Sequence, residues 1–321
     1  TGNTMGILAG VVELTPATTG YEAIDHAKHA IRAIGTDLNQ VYCVYGQEVE
    51  NAYLHERYII ENIDHAMKSG WIRVYYQGIL RTQTRKLASF EALARWDDPE
   101  LGLMQPKDFI PALQKYHMIS SLDLFMLEQV CREWQTRIDY FGGEIPTSVN
   151  FSVQGFDQLD MVARIQEIVD SYHISHDKII IEITEQDVAK ADQRFQKQLM
   201  DLKELGFKIW VDDFGSGYSS LNVFNRYNFD LIKLDLELLR NLDSNNGTNR
   251  KILTAMVRLA KSLGVHTLAE GLDNEEQLQF LREAGCGRAQ GYLFSRPNSI
   301  EAHMEQMRMN PSLFPESPEE A

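Results

Sequence analysis

The sequence predicts an α/β fold, a TIM-like (β/α)8 barrel preceded by a short α/β N-terminal extension. Three observations carry this expectation. From Trp71 onward eight short apolar runs recur, amphipathic segments fill most of the gaps between them, and glycine directly follows segments such as Asp192–Leu205 and Arg250–Leu263. Alternating strand and helix patterns imply a mostly parallel sheet, and eight such units over about 250 residues fit a closed barrel.

The strand candidates are Ile72–Gln77, Leu87–Leu93, Thr147–Phe151, Lys178–Ile183, Phe207–Val211, Leu231–Leu234, His266–Ala269 and Ala289–Phe294. The helix candidates are Ser121–Tyr140, Met161–Tyr172, Asp192–Leu205, Arg250–Leu263 and Glu275–Ala284. Gly206 and Gly264 follow two of them, where glycine takes the left-handed conformation that ends a helix. An open doubly wound sheet is the competing architecture. It usually carries a glycine-rich turn after its first strand, and Gln77-Gly78-Ile79-Leu80 offers none.

Residues 1–50 form the extension, with a strand expected in Ile7–Leu14, a helix in Gly20–Ile34 and a strand in Gln40–Tyr45. That is too little for an independent core. Gly46–Asn51 reads as a polar joint and Ala52–Lys68 as a helix leading into a barrel of residues 51–308. Residues 309–321 are rich in Pro and Glu, lack Lys and Arg, and read as a disordered acidic tail.

Composition narrows the function. The chain has 321 residues, 44% of them hydrophobic, and a net charge of -15, which disfavours general adhesion to nucleic acid or to an anionic membrane. Cys43, Cys131 and Cys286 lack metal-type spacing and read as reduced thiols of a cytoplasmic chain. No apolar run approaches the ~18 residues that span a bilayer. The chain starts at Thr1 and not at Met, so it reads as a piece of a longer protein whose other parts include any membrane anchor.

The most informative stretch is Val211-Asp212-Asp213-Phe214-Gly215-Ser216-Gly217-Tyr218-Ser219-Ser220. An apolar strand ends there in two adjacent carboxylates. Buried together they repel, so a cation is expected between them, unless they simply open a solvated loop. A divalent metal pair is the simplest cation, because one carboxylate can bridge two metals. In a barrel of this kind the chemistry sits at the carboxyl ends of the strands. Those ends carry Glu91 and Arg95, Asn150, Glu182 and Glu185, Asp212 and Asp213, Lys233 and Asp235, Glu270, and Gln290. Each alone has a dull explanation as a helix cap or surface ion pair. Converging on one mouth, their carboxylates and the Asn150 amide form an all-oxygen ligand set, with no His or Cys, suited to Mg2+ or Mn2+ and not to zinc. The nine histidines do not cluster, and none is assigned to catalysis.

Glu91-Ala92-Leu93, Asn150-Phe151-Ser152, Glu182-Ile183-Thr184-Glu185, the Asp212–Ser220 segment, Lys233-Leu234-Asp235, Ala269-Glu270-Gly271 and Gln290-Gly291-Tyr292 together resemble the EAL domain. That family comprises cyclic di-GMP phosphodiesterases and inactive ligand-binding relatives, and the match runs in order from about Tyr53 to Met307. The resemblance implies hydrolysis of cyclic di-GMP to linear pGpG by water with two divalent cations. It implies metal ligation by Glu91, Asn150, Glu182, Asp212 and Asp213. Lys233 would orient or deprotonate the water, Glu270 would position the water or the second metal, and Glu91 would belong to the catalytic set. Substrate contacts would come from Gln77, Leu93, Arg95, Asp235, Gln290 and Pro297. Glu185 would brace the Phe214–Ser220 loop, which in this family also shapes a homodimer interface.

The sequence departs from the family pattern at Gly78 (usually Pro), Gln114 (usually Glu), Asp273 (usually Glu) and Gly287 (commonly Asp). None belongs to the inferred metal ligands. Residues 20–31 and 41–45 resemble the last helix and strand of a GGDEF domain, with an ordinary extension packed on the barrel as the alternative. A catalytically weak cyclic di-GMP receptor acting through partners is the rival function. An aldolase-like barrel using Lys233 as a Schiff-base nucleophile is a second rival, opposed by the carboxylates that would raise the lysine pKa.

Overall fold

The computed structural model describes residues 7–34, 40–215, 227–235, 239, 242 and 244–309. Strand β1 (Ala9–Val11), helix α1 (Gly20–Ile34) and strand β2 (Tyr42–Val44) form the extension. The two strands pair in parallel, Ala9 opposite Tyr42, and α1 buries His29, Ala30 and Ile34. The stretch expected as a polar joint is helical, because α2 runs over Gln47–Lys68. Glu48 and Glu50 lie in its first turn, where acidic side chains favour the helix dipole. Ile59, Ile63 and Ala66 recur at helical spacing and seat α2 against the barrel core.

The barrel strands are β3 (Ile72–Arg81), β4 (Leu87–Asp98), β6 (Thr147–Asn150), β7 (Ile179–Thr184), β8 (Lys208–Phe214), β9 (Leu231–Leu234), β10 (His266–Ala269) and β11 (Arg288–Ala289). Their order is β3-β11-β10-β9-β8-β7-β6-β4, and β4 pairs back to β3, so the ring closes. A short strand β5 (Gly102–Met104) adds to β4 as a flap. Strand β3 is antiparallel to both neighbours. Only residues 82–86 join β3 to β4. That is enough for a hairpin and far below the dozen or so residues a parallel crossover needs. The barrel is therefore mixed, with its first strand reversed.

Three further differences have local causes. Strands β3 and β4 run past their expected ends, because a long hairpin pairs Ile72 with Trp96 and Gln77 with Glu91. The single helix expected over Ser121–Tyr140 is two, Ile119–Arg132 and Trp134–Phe141, meeting at Glu133. Ala289–Phe294 is not one strand, since pairing covers Arg288–Ala289 and the chain then turns. A Cβ on Gly291 would fall 2.2 Å from Leu272 N and O, so this backbone presses against its neighbour and leaves the sheet.

Side-chain alternation gives the barrel interior levels. A middle level of Ile79, Ile180, Trp210, Leu231 and Leu268 is a separate apolar cluster. Two residues further along the parallel strands stand Glu182, Asp212, Lys233 and Glu270. On reversed β3 the equivalent residue is Gln77, two before Ile79. The main apolar core lies outside the ring, between sheet and helices.

Candidate active site

The strand ends gather the polar residues around one buried lysine. Lys233 Nζ lies 3.1 Å from Asp212 Oδ1, 2.7 Å from Glu270 Oε1 and 3.4 Å from Glu91 Oε1. It also donates a hydrogen bond to Glu182 Oε1. Lys233 and Glu182 are both fully buried. Burial alone would depress the lysine pKa, but Asp212, Glu182, Glu270 and Glu91 outweigh it and hold the ammonium well above its ordinary value. A Schiff-base role requires the opposite shift.

The carboxylates outnumber this cation. Burial drives Glu182 well above the ordinary carboxyl range despite Lys233. Burial, with help from Asp212, also raises Asp213, and burial pushes Glu270 up to about 8. Oxygens of Asp212, Asp213 and Glu270 lie within 4.8 Å of one another, a spacing that suits a shared cation. Glu182 Oε2 is buried without a hydrogen-bond partner, so the cluster holds an orphaned carboxyl oxygen. Excess buried charge, an unused ligand oxygen and an all-oxygen donor set fit a hard divalent metal.

Strand β8 delivers both aspartates through an irregularity. It was expected to stop at Val211, yet it continues to Phe214 with a register shift between Val211 and Phe214. Asp213 takes a left-handed backbone (φ 53°), uncommon for a residue with a side chain. Its N–H donates to Asp212 Oδ1 at 2.8 Å. Strict alternation would send consecutive residues to opposite faces; the bulge lets both carboxylates reach one site.

The other expected residues divide by position. Asn150 Nδ2 donates to Glu91 Oε1 at 3.3 Å. Gln290 Nε2 donates to Glu91 Oε2 at 2.6 Å and to Gln77 Oε1 at 2.9 Å, and Gln77 Nε2 donates to Ser295 O at 3.1 Å. This chain fixes Glu91 from both sides. Gln77, Glu91, Leu93, Asp212, Lys233, Glu270 and Gln290 line an open crevice of about 720 Å³. Asp273, Gly291 and Tyr292 line it too, though none of the three was expected as a contact. The Gln290-Gly291-Tyr292 motif was the available signal for two of them. Arg95 is buried, lies over the Tyr75 ring, and donates to Ala94 O at 2.8 Å. Asp235 follows β9 and its charge reaches Asp213. Pro297 is half-buried and is not among the residues lining the crevice.

Glu185 opens the short helix Glu185–Lys190, which is capped by the Thr184 hydroxyl. Its Oε2 accepts a hydrogen bond from Gly215 N at 2.8 Å, tying that helix to the end of β8. Of the loop it was expected to brace, residues 216–220 lie outside the described residues. At the departure Gly78, the backbone N–H points to Ser295 Oγ at 3.4 Å, a donor that proline would lack. No helix among the described residues is long and apolar enough to cross a membrane.

Comparison with known proteins agrees with this geometry. The family model described as "EAL domain" matches residues 60–297. The first fifty residues fall outside that match, and nothing in the comparisons supports a GGDEF remnant there. Cyclic di-GMP phosphodiesterase NbdA of Pseudomonas aeruginosa is 30% identical over 249 residues, covering 77% of this chain and 32% of NbdA. Cyclic di-GMP phosphodiesterase PdeR of Escherichia coli is 26% identical, covering 85% of this chain and 41% of PdeR. The chain thus spans well under half the length of these relatives. A cyclic di-GMP complex of the PaMucR phosphodiesterase is 28% identical with a TM-score of 0.71, covering 76% of this chain and 99% of that one. A manganese and cyclic di-GMP complex of Klebsiella pneumoniae BlrP1 is 28% identical with a TM-score of 0.61, covering 71% of this chain and 56% of that one. A mixed eight-stranded barrel, a lysine ringed by strand-end carboxylates and a family match over most of its length place this chain in the EAL domain family.

Proposed function

We propose that this chain is a metal-dependent phosphodiesterase that opens cyclic di-GMP to linear pGpG with water as the nucleophile. The observation that carries the reading is the Lys233 cluster, four carboxylates around one retained ammonium beside the Asp212, Asp213 and Glu270 triplet. Related proteins with cyclic di-GMP and manganese in their complexes support it.

Glu91, Asn150, Glu182, Asp212 and Asp213 would hold two Mg2+ or Mn2+ ions, and the proximity of Glu270 to both aspartates adds it to that set. A divalent pair supplies Lewis acidity at a phosphate oxygen and lowers the pKa of water toward neutrality. The protein residues do the rest. Lys233, ringed by these carboxylates, would orient or deprotonate the water and offset charge at the phosphate. Glu91 is held in one rotamer by Asn150 and Gln290. Gln77, Leu93 and Tyr292 line the walls that would receive a guanine base, and Arg95 and Asp235 would add ligand contacts. Glu185 fixes the end of β8 through Gly215. The chain works as a homodimer in the cytoplasmic compartment on this reading.

The test is turnover of cyclic di-GMP by the purified chain with Mg2+ or Mn2+, beside Glu91→Ala, with products separated chromatographically. pGpG from the wild type alone supports the reading. Micromolar binding without turnover turns the chain into a receptor, and neither binding nor turnover leaves only the fold.

A further inference from the structure

The opposite end of the barrel carries the opposite charge. Two residues below the middle apolar level stand Lys208 on β8 and His266 on β10. Reversed β3 contributes Arg81, two residues after Ile79, and β11 begins with Arg288. In-register pairing puts Arg81 directly opposite Arg288, Leu268 opposite Arg288 and Ile180 opposite Lys208. Paired residues share a face, so all four cations face the same interior as the apolar level. The Arg288 guanidinium packs 5.3 Å over the Trp210 ring, which belongs to that level.

Like charges directly opposite across antiparallel strands destabilise a sheet. In this pair Arg288 is offset by the Trp210 ring alone, and neither guanidinium has a carboxylate within salt-bridge distance among the described residues. Among the described residues, none of Arg81, Lys208, His266 and Arg288 makes a side-chain hydrogen bond or a salt bridge. The nearby acids attract the cluster only at a distance, Asp177 acting on Lys208 and Asp230 on His266, while their closest contacts are to other groups. Asp230 takes the Lys203 ammonium at 3.0 Å and the Ile209 N–H at 2.8 Å. Asp177 sits with Lys178 at 3.6 Å and accepts from Ser175 Oγ. Position 287, beside Arg288, is glycine. Burial and then Arg81 bring Arg288 down to about 10, and burial followed by Arg288 and Lys208 lowers His266. Arg81 and Arg288 are half-buried, while Lys208 and His266 are exposed, so the cluster opens to solvent. In a chain of net charge -15 such a focus of positive charge is a local exception.

We propose that the base of the barrel, carried by Arg81, Lys208, His266 and Arg288, binds a phosphate-type oxyanion. Two guanidinium forks facing each other match the oxygens of a tetrahedral anion, and the ammonium and imidazole add donors from the far side of the ring. The apolar level separates this site from the acidic mouth. Binding here is therefore independent of metals and of cyclic di-GMP.

The test is calorimetric titration of the metal-free chain in EDTA with inorganic phosphate and with glycerol 3-phosphate. Sodium chloride at matched ionic strength is the reference. Arg288→Gln and Arg81→Gln are compared with wild type, and Arg57→Gln, at an exposed residue of α2 paired with Glu61, serves as the control. Phosphate binding that weakens about tenfold or more in either base variant, and is unchanged in Arg57→Gln, is expected. Tighter binding of the ester identifies an organic phosphate as the ligand, and equal binding identifies free phosphate; either supports the site. Titration no stronger than chloride overturns the proposal, as does binding that both base variants retain. If Arg288→Gln fails to fold, Arg81→Gln carries the test alone.

Discussion

Replacing Lys233 with methionine removes the one ammonium facing Glu91, Glu182, Asp212 and Glu270. Methionine has a similar length, so packing changes little and charge changes most. Removing one partner of a buried ion pair costs about 3–5 kcal/mol, because the remaining charge stays buried. For a barrel of this size each kcal/mol moves Tm by roughly 2–4 °C, giving a fall of about 6–20 °C. The deficit depends on pH. Glu270 is already raised from 4.5 to about 8 with Lys233 present, and Glu182 is raised too. Without the lysine both bind protons more tightly in the folded state than in the unfolded chain. Their protonation supports the fold at low pH, and this support is lost as pH rises through the folded pKa. The variant should therefore lie close to wild type at pH 5 and fall furthest below it at pH 8. Urea denaturation of metal-free protein, followed by the fluorescence of buried Trp210 and Trp96, reads the difference. Millimolar Mg2+ at pH 8 should restore part of the loss. A deficit that is absent at pH 8, or flat between pH 5 and 8, refutes the picture of a carboxylate cluster held by one cation.

Three other outcomes follow from single contacts. Gly291→Ala places a Cβ 2.2 Å from Leu272 backbone atoms and should cost on the order of 2–3 kcal/mol in thermal unfolding, with turnover falling as Gln290 shifts. Asp123 is buried, accepts from Ser152 N at 2.9 Å, and is pushed by burial to about 8. Its folded-state proton supports the fold below that value and is lost above it. Asp123→Asn should therefore stabilise the fold at pH 8.5 by an amount on the order of 1–3 kcal/mol, read as a higher Tm, with little change at pH 5. Glu185→Ala loses the acceptor for Gly215 N and should lower kcat about tenfold or more with cyclic di-GMP affinity nearly kept. An unchanged kcat there means that the end of β8 needs no brace.

Elements set by short-range forces are legible in the sequence, and those set by distant neighbours are not. Strands Leu231–Leu234 and His266–Ala269 and helix Glu275–Ala284 have the bounds their patterns predict, because each is a short periodic run flanked by clear stops. Helix Glu275–Ala284 has both, an Asn274 capping box and Gly285 in the left-handed conformation. The helix Pro106–Lys115 was missed, since Pro111 inside it reads as a breaker. Short helices such as Val153–Gln158 carry too few residues for a period to show. Strand β8 was cut short because its last residues are charged, and charged residues extend a strand only where something in the fold receives them.

The sequence by itself determined which residue types would meet at the strand ends, since alternation within each strand is a local property. It also carried the motifs that identify the family. Tertiary structure decided how they meet. The reversal of β3 brings Gln77 to Gln290 and Arg81 to Arg288, contacts between residues more than 200 positions apart. The bulge in β8 turns Asp213 toward Asp212 and Glu270. Burial then sets the protonation of Lys233 and its carboxylates, because a charge is stabilised or destabilised by all neighbours in a low-dielectric space, whatever their distance along the chain.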